Sequence, residues 1–190
     1  FFFDYLTFLT SLHPLKAAKM RQAAKPQAKA GSTKGPPKGK SLREVYEETC
    51  ANLKVRPNST FEEMLPDKPG QVLNTDTLDF SRNYVGDRGM LAVLEIVQRS
   101  PQLKRLVVTE NGLRNAAIKA IVTVVVKHPG ISSLDVSDNY ISEGAGKVLE
   151  VLLKENPRIT ELGFSNTKID VDCRLRLKDL IALNAANARS

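Results

Sequence analysis

The chain has 190 residues, of which 28 are Lys or Arg and 21 are Asp or Glu, so its formal net charge at pH 7 is +7. This length fits one domain with extensions. No apolar run is long enough to span a bilayer, and two cysteines, Cys50 and Cys173, are too few for a disulfide framework. We therefore predict two buried free thiols, a reducing compartment and no membrane association.

The positive charge is concentrated in residues 1–40, which we call the N-terminal arm. The arm has eight basic residues and one acidic residue, so its charge is 8 − 1 = +7, while the rest of the chain has 20 residues of each sign. Such asymmetry indicates a polyanionic partner, of which nucleic acid, an acidic protein and a membrane are the candidates, and we expect one of the first two. We expect the contacts to come from Lys16, Lys19, Arg21, Lys25, Lys29, Lys34, Lys38 and Lys40.

The arm has two parts of different composition. Residues 1–12 are apolar and aromatic, without the basic start or the cleavage site of a secretory signal. They are either an anchor that docks on a partner or, if Met20 is the true start, upstream sequence. Residues 16–40 are rich in Lys, Ala, Gly and Pro, so in isolation we expect them to be disordered. No aromatic residue separates these lysines, so base stacking is not indicated.

Two short helices are predicted after the arm. Ser41-Leu-Arg-Glu44 is typical of a capping box and predicts a helix that Pro57 stops. By the same logic, Thr60-Phe-Glu-Glu63 predicts a second helix that ends near the next proline. We assign residues 41–72 to an N-terminal helical cap, because a repeat array needs its first core covered.

Residues 73–190 contain one pattern four times, starting at positions 78, 106, 134 and 162, each 28 residues after the last. A fixed period of this length indicates a solenoid. Alternating apolar residues at the start of each copy predict a strand with one buried face. A recurring Asn predicts a ladder of buried amides that bond to the backbone, formed by Asn83, Asn111 and Asn139. Thr167 takes this place in the fourth copy, which we interpret as an end unit.

Columns of apolar residues between the strands predict one helix per copy, and hence an α/β fold of strand-turn-helix units. The three columns are Val93, Ile121, Leu149 and Leu177; Ile96, Val124, Leu152 and Leu180; Val97, Val125, Leu153 and Ile181. A fourth column consists of small residues, where helix and sheet come close: Gly89, Ala117, Ala145 and Cys173. A final helix from about Asp172 to Ala186 closes the chain.

The repeated pattern L-x-L-x-x-N-x-L resembles the leucine-rich repeat, and its period is similar to that of the ribonuclease-inhibitor-like class. The stretch Tyr46-x-x-x-Cys50-x-x-Leu53-x-Val55-x-Pro57-Asn58-Ser59 resembles the N-terminal cap of such proteins in cilia and flagella, including the leucine-rich subunit of the dynein regulatory complex. This resemblance implies a structural or adaptor subunit of the axoneme, with the arm on an acidic surface such as that of tubulin.

Residues for catalysis are few. Of the two histidines, His13 lies in the arm, and His128 precedes a proline at a helix end, where a cation would favour the helix dipole. No Cys or His pair has metal-ligand spacing, and no Ser-His-acid set can be assembled. We therefore expect no enzyme activity, no cofactor and no small-molecule substrate.

A concave sheet face is predicted from the residues that alternate with the core leucines. It is small and polar, without aromatic anchors, and it suits a basic or polar protein segment. Its members are Thr77, Asp79, Ser81, Arg105, Val107, Thr109, Ser133, Asp135, Ser137, Glu161 and Ser165, with Gly163 among them.

Three functional hypotheses remain open. The first is the axonemal subunit, located in the cytoskeleton. The second is a protein of the ribosome, in particular the mitochondrial ribosome, whose arm binds rRNA through phosphate contacts. The third is a soluble regulator that binds a protein through the concave face.

Overall fold

A computed structural model describes residues 39–189. The predicted anchor, the possible start at Met20 and every arm cation except Lys40 lie outside these residues. Lys40 is exposed and pairs with Glu48 of the first helix.

Two helices and then four strand-helix units make up the described chain. The helices are α1 (Leu42–Leu53) and α2 (Ser59–Met64). The units are β1 (Thr77–Asp79) with α3 (Gly86–Gln98), β2 (Arg105–Val107) with α4 (Asn115–Lys127), β3 (Ser133–Asp135) with α5 (Glu143–Glu155), and β4 (Glu161–Gly163) with α6 (Val171–Asn187).

The four strands form one parallel sheet in chain order. Leu78 pairs with Leu106, Leu106 with Leu134, and Leu134 with Leu162, so neighbours in the sheet are always 28 residues apart in sequence. The described residues therefore form an α/β fold with four parallel strands and six helices, arranged as a short repeat solenoid. This arrangement agrees with the fold that the leucine-rich-repeat resemblance implies.

The predicted helix columns form the core. All four members of the first column are fully buried: Val93, Ile121, Leu149 and Leu177. The small-residue column is also buried. The other two columns end at Leu180 and Ile181, which are only half-buried. These two differ because α6 packs on α5, and no helix between residues 39 and 189 covers its other side.

The capping box of α1 is confirmed. Ser41 Oγ accepts a hydrogen bond from the Glu44 amide at 3.2 Å, and the Glu44 carboxylate accepts one from the Ser41 amide at 2.7 Å. The predicted start of α2 is wrong. Asn58 is the N-cap in place of Thr60, because its Oδ1 accepts from the Phe61 amide at 2.9 Å and Asn is the better capping residue.

Three aromatic rings join the cap to the first repeat. Phe61 meets Tyr46 and Phe80 edge-to-face, with ring centroids 5.0 Å apart in both pairs. Tyr46 Oη accepts a hydrogen bond from the Asn58 amide, and burial raises the pKa of this phenol. None of the helices that the structure describes is long and apolar enough to cross a membrane.

Candidate functional site

The predicted concave residues lie on the outer face of the sheet, but two of them are less accessible than expected. Thr77, Asp79, Arg105, Glu161 and Ser165 are exposed, whereas Ser133 and Ser137 are buried. Ser133 lies under the paired side chains of Arg105 and Glu161, and the Ser137 hydroxyl accepts a hydrogen bond from the Ser165 amide at 3.0 Å.

An ion pair crosses the middle of this face. Arg105 Nη1 lies 3.0 Å from Glu161 Oε2, although β3 separates their strands. Ser133 on β3 donates its hydroxyl to the same carboxylate oxygen at 2.8 Å. An exposed pair of this kind adds little stability, but it occupies the charged groups that a ligand would otherwise meet.

The two aspartates of the face are also held by local hydrogen bonds. Asp79 Oδ1 accepts from the amide and the hydroxyl of Ser81, and these bonds lower the pKa of Asp79. Asp135 Oδ1 accepts from the Ser137 amide at 3.0 Å. The Asp135 carboxylate lies directly over Gly163, where a Cβ atom would come within 2.3 Å of Oδ1. The space for this carboxylate therefore depends on a glycine in the next strand.

The predicted Asn ladder lies at the carboxyl ends of the strands. Asn139 Oδ1 accepts from the amides of Asn111 and Leu113, and Asn139 Nδ2 lies within 3.0 Å of three carbonyl oxygens. Asn111 Nδ2 contacts two carbonyl oxygens, whereas Asn83 is half-buried and bonds Asn58 of the cap. The Thr167 hydroxyl bonds only the Phe164 carbonyl, apart from a long 3.5 Å contact from Arg174. This ladder is structural.

Past the strands, the chain turns along an edge that we call the turn edge. It consists of two positions in each of the four copies: Arg82, Tyr84, Glu110, Gly112, Asp138, Tyr140, Asn166 and Lys168. The first position has positive φ in every copy, between 51° and 59°. Arg82 Nε lies 3.1 Å from Glu110 Oε1, and Asn166 Nδ2 donates to Asp138 Oδ1 at 2.7 Å. The turns therefore pair in twos, the first with the second and the third with the fourth.

Two tyrosines project from the turn edge. Tyr84 is 74% exposed and Tyr140 is 71% exposed, and Gly112 stands between them in the repeat order without a side chain. No aromatic anchor was predicted near the sheet face, because the prediction rested on the strand residues alone. The sequence does carry a signal for these side chains, because Tyr occurs at the same position in the first and third copies.

The outer face and the turn edge together are acidic. They contain Asp79, Asp135, Glu161, Glu110 and Asp138 against Arg82, Arg105 and Lys168, a net charge of 3 − 5 = −2. Both arginines are already paired with glutamates, so the three aspartates supply the uncompensated charge. A basic segment of a protein partner matches this potential.

A second polar column, which was not predicted from the sequence, runs along the helix ends. Ser100, His128, Asn156 and Asn184 are 28 residues apart, and all four are buried. His128 Nε2 lies 3.0 Å from the Ser100 carbonyl, and Nδ1 accepts from the amides of Gly130 and Ile131. Burial lowers the pKa of His128. His128 therefore caps the turn as a neutral imidazole, and the expected cationic role is wrong.

The cysteines are poor nucleophiles. Burial raises the pKa of Cys50, and burial with the nearby Glu150 carboxylate raises the pKa of Cys173 to about 11. Both thiols are free and buried, as predicted. Within residues 39–189, no group of three His, Cys, Asp or Glu side chains could hold a metal ion.

No protein-family model matches the sequence, and no curated protein is significantly similar to it. Among solved structures, the chain is similar to one described as Leiomodin-1 Actin-Binding Site 2 (ABS2), with 14% sequence identity and a TM-score of 0.48. The match covers 77% of this chain and 90% of that one.

Proposed function

We propose that this protein is a non-catalytic adaptor that binds other proteins through two surfaces of opposite charge. The observation that best supports this proposal is the exposure of Tyr84 and Tyr140 beside an acidic sheet face. Tyrosine is enriched among residues that dominate binding energy, and its ring attracts cations. The turn edge therefore suits a segment rich in Lys or Arg, while the basic arm suits an acidic surface.

The assembly that we propose is the flagellar or ciliary axoneme, with the arm on tubulin. Support comes from the residues that resemble the cap of ciliary repeat proteins. Tyr46 and Asn58 hydrogen-bond each other, and Asn58 also caps α2 and bonds Asn83 of the ladder. The residues that carry the resemblance are therefore linked by hydrogen bonds within the cap of the repeats.

Deletion of residues 1–40 tests the role of the arm. We expect the shortened chain to lose co-sedimentation with microtubules, because seven net positive charges are removed. A chain that lacks only residues 1–15 keeps all eight cations and serves as the control. Unchanged microtubule binding after the longer deletion would refute the tubulin contact. Stronger, steeply salt-dependent binding of the full chain to RNA would favour the ribosomal alternative.

Substitution of both turn-edge tyrosines tests the second surface. The double variant Tyr84→Ser, Tyr140→Ser should bind fluorescent Arg-rich or Lys-rich peptides about tenfold more weakly. Val72→Ser, which removes another exposed apolar side chain away from the edge, should leave binding unchanged. Equal affinity for basic and acidic peptides would contradict the proposed charge complementarity.

A further inference from the structure

The middle residue of the Asn ladder precedes a glycine, and the other two precede tyrosines. Asn111 is followed by Gly112, whereas Asn83 and Asn139 are each followed by Tyr, and no other Asn-Gly pair occurs in the 190 residues. In such a pair, the backbone nitrogen after the asparagine can attack the side-chain carbonyl carbon. A glycine leaves this approach unhindered because it has no Cβ. The pair is therefore labile wherever the chain can reach the geometry for attack.

The surroundings of Gly112 leave its nitrogen open to this reaction. Its φ is +68°, and a Cβ added to it would meet no atom within 4 Å. The residue is half-buried, and within residues 39–189 its amide donates no hydrogen bond to the backbone. No hydrogen bond therefore has to break before the nitrogen can react.

The Asn111 side chain is fixed at one end only. Its Nδ2 lies 2.7 Å from the Phe80 carbonyl oxygen and 3.0 Å from that of Thr109. Its Oδ1 is buried, and no donor among the described residues bonds to it. Asn139 differs, because its Oδ1 accepts from two backbone amides. Rotation of the carboxamide therefore breaks fewer hydrogen bonds at Asn111 than at Asn139, and it relieves the cost of the unpaired oxygen.

We propose that Asn111 is a site of spontaneous deamidation and that this modification releases the first repeat from the second. The Gly112 nitrogen forms a bond to Asn111 Cγ, and the bond from Cγ to Nδ2 breaks. Nδ2 leaves as ammonia and takes with it the proton that the Gly112 nitrogen loses. Water then opens the cyclic imide at either carbonyl, which gives aspartate or isoaspartate. Because the two Nδ2 hydrogen bonds oppose rotation in the folded chain, the rate follows local opening of the turn.

Both products disrupt contacts that join the first two copies. In the aspartate, a carboxylate oxygen takes the place of Nδ2 and faces the carbonyl oxygens of Phe80 and Thr109, so a buried charge meets two acceptors. In the isoaspartate, the main chain gains a methylene group, which shifts the turn where the Asn111 carbonyl accepts from the Gly86 amide at 3.0 Å. Phe80 also packs on Phe61 of the cap, so the loosened part comprises the cap and the first repeat.

Peptide mapping of the full-length chain, kept for days at mildly alkaline pH, tests the site. We expect aspartate and isoaspartate to accumulate at residue 111, and to do so faster in urea below the unfolding transition, because opening frees the side chain. Asn139, which precedes a tyrosine in the same ladder, is the internal control and should stay intact. Gly112→Asn, which keeps a residue that tolerates positive φ, should prevent the change at Asn111. Equal modification of Asn111 and Asn139, or an Asn111 that stays intact even in this urea, would overturn the proposal.

The variant Asn111→Asp tests the release of the first repeat, because it is the aspartate product. Hydrogen exchange should become faster in α1 and α3 than in the wild type and should stay unchanged in α5 and α6. If this variant does not fold, the deamidated wild-type chain, separated by ion exchange, is measured in its place. Wild-type exchange in α1 and α3, or an equal increase in all the helices, would overturn the release of the first repeat.

Discussion

Asn139 shows how one side chain can hold two repeats together. The strand ends leave backbone amides and carbonyls facing the interior, where an unpaired polar group is costly. The Asn139 side chain accepts from two amides and contacts three carbonyl oxygens on both its own and the preceding copy. A carboxamide suits this place because it both donates and accepts.

Substitution along the ladder should therefore have graded effects. Asn139→Ala should lower the free energy of unfolding by about 3 kcal/mol or more, since it leaves several buried backbone groups unpaired. Asn83→Ala, at the half-buried end of the ladder, should cost about 1 kcal/mol. Urea unfolding followed by circular dichroism measures both values. Equal costs would contradict the conclusion that Asn139 holds more buried backbone groups than Asn83 does.

Protonation of His128 should make the stability of the fold depend on pH. Its pKa lies below the ordinary value of 6.5 because the ring is buried. As the pH falls through about 6.5, the unfolded chain binds a proton that the folded chain does not. The contribution of His128 to the free energy of unfolding should therefore be constant above that pH. Below that pH, protonation of the unfolded chain should lower the free energy of unfolding by at most about 1.4 kcal/mol per pH unit.

His128→Asn removes this titration and inserts the residue that the next two copies have at the same position. We expect a smaller loss of stability between pH 7 and pH 5 than in the wild type, measured as the change in urea midpoint. An identical slope in the His128 variant would show that its protonation is not linked to folding.

At the scale of elements, the cap and the first repeat share one aromatic cluster. Phe61 lies between Tyr46 of α1 and Phe80, and its side chain is 1% exposed. Phe61→Ala should cost about 3–5 kcal/mol and loosen both cap helices from the sheet. Met64→Ala, at an exposed residue of the same helix, should cost less than about 0.5 kcal/mol. Thermal unfolding compares the two, and a small effect at Phe61 would contradict the role of the cluster.

The period of the sequence predicted the strands, the helices and the core columns, because every copy must bury the same positions against its neighbours. The period was a poorer guide to features that depend on local geometry, such as which of two neighbouring residues caps a helix. Asn58 replaced Thr60 as the N-cap, and this choice depends on which oxygen reaches the Phe61 amide. The exposed Tyr84 and Tyr140 lie beyond the strands, in turns whose geometry a strand-helix pattern does not describe.

For the whole molecule, burial decreases towards the last helix. Seven residues of α4 are buried, in contrast to three residues of the longer α6. On the other side of the array, α1 packs on α3 and covers it. Since local opening depends on the apolar contacts that a segment makes, the last helix should open most readily.

Hydrogen exchange read by mass spectrometry checks this gradient. We expect the amides of α4 to exchange most slowly and those of α6 to exchange fastest among α3 to α6. The Leu175→Glu variant should give the same rates, because Leu175 is exposed. Uniform exchange across the four helices would show that the array opens only as one unit.

The in-register sheet also restricts how this array could be lengthened by gene duplication or design. Residues 28 positions apart are neighbours in the sheet, so an identical copy of a repeat would place identical side chains together. A tandem copy of the third repeat would set Asp135 beside a second Asp135, where Gly163 now leaves space for its carboxylate. Like charges on adjacent strands are destabilising. Growth of this solenoid therefore requires each new copy to diverge from its template at the sheet face.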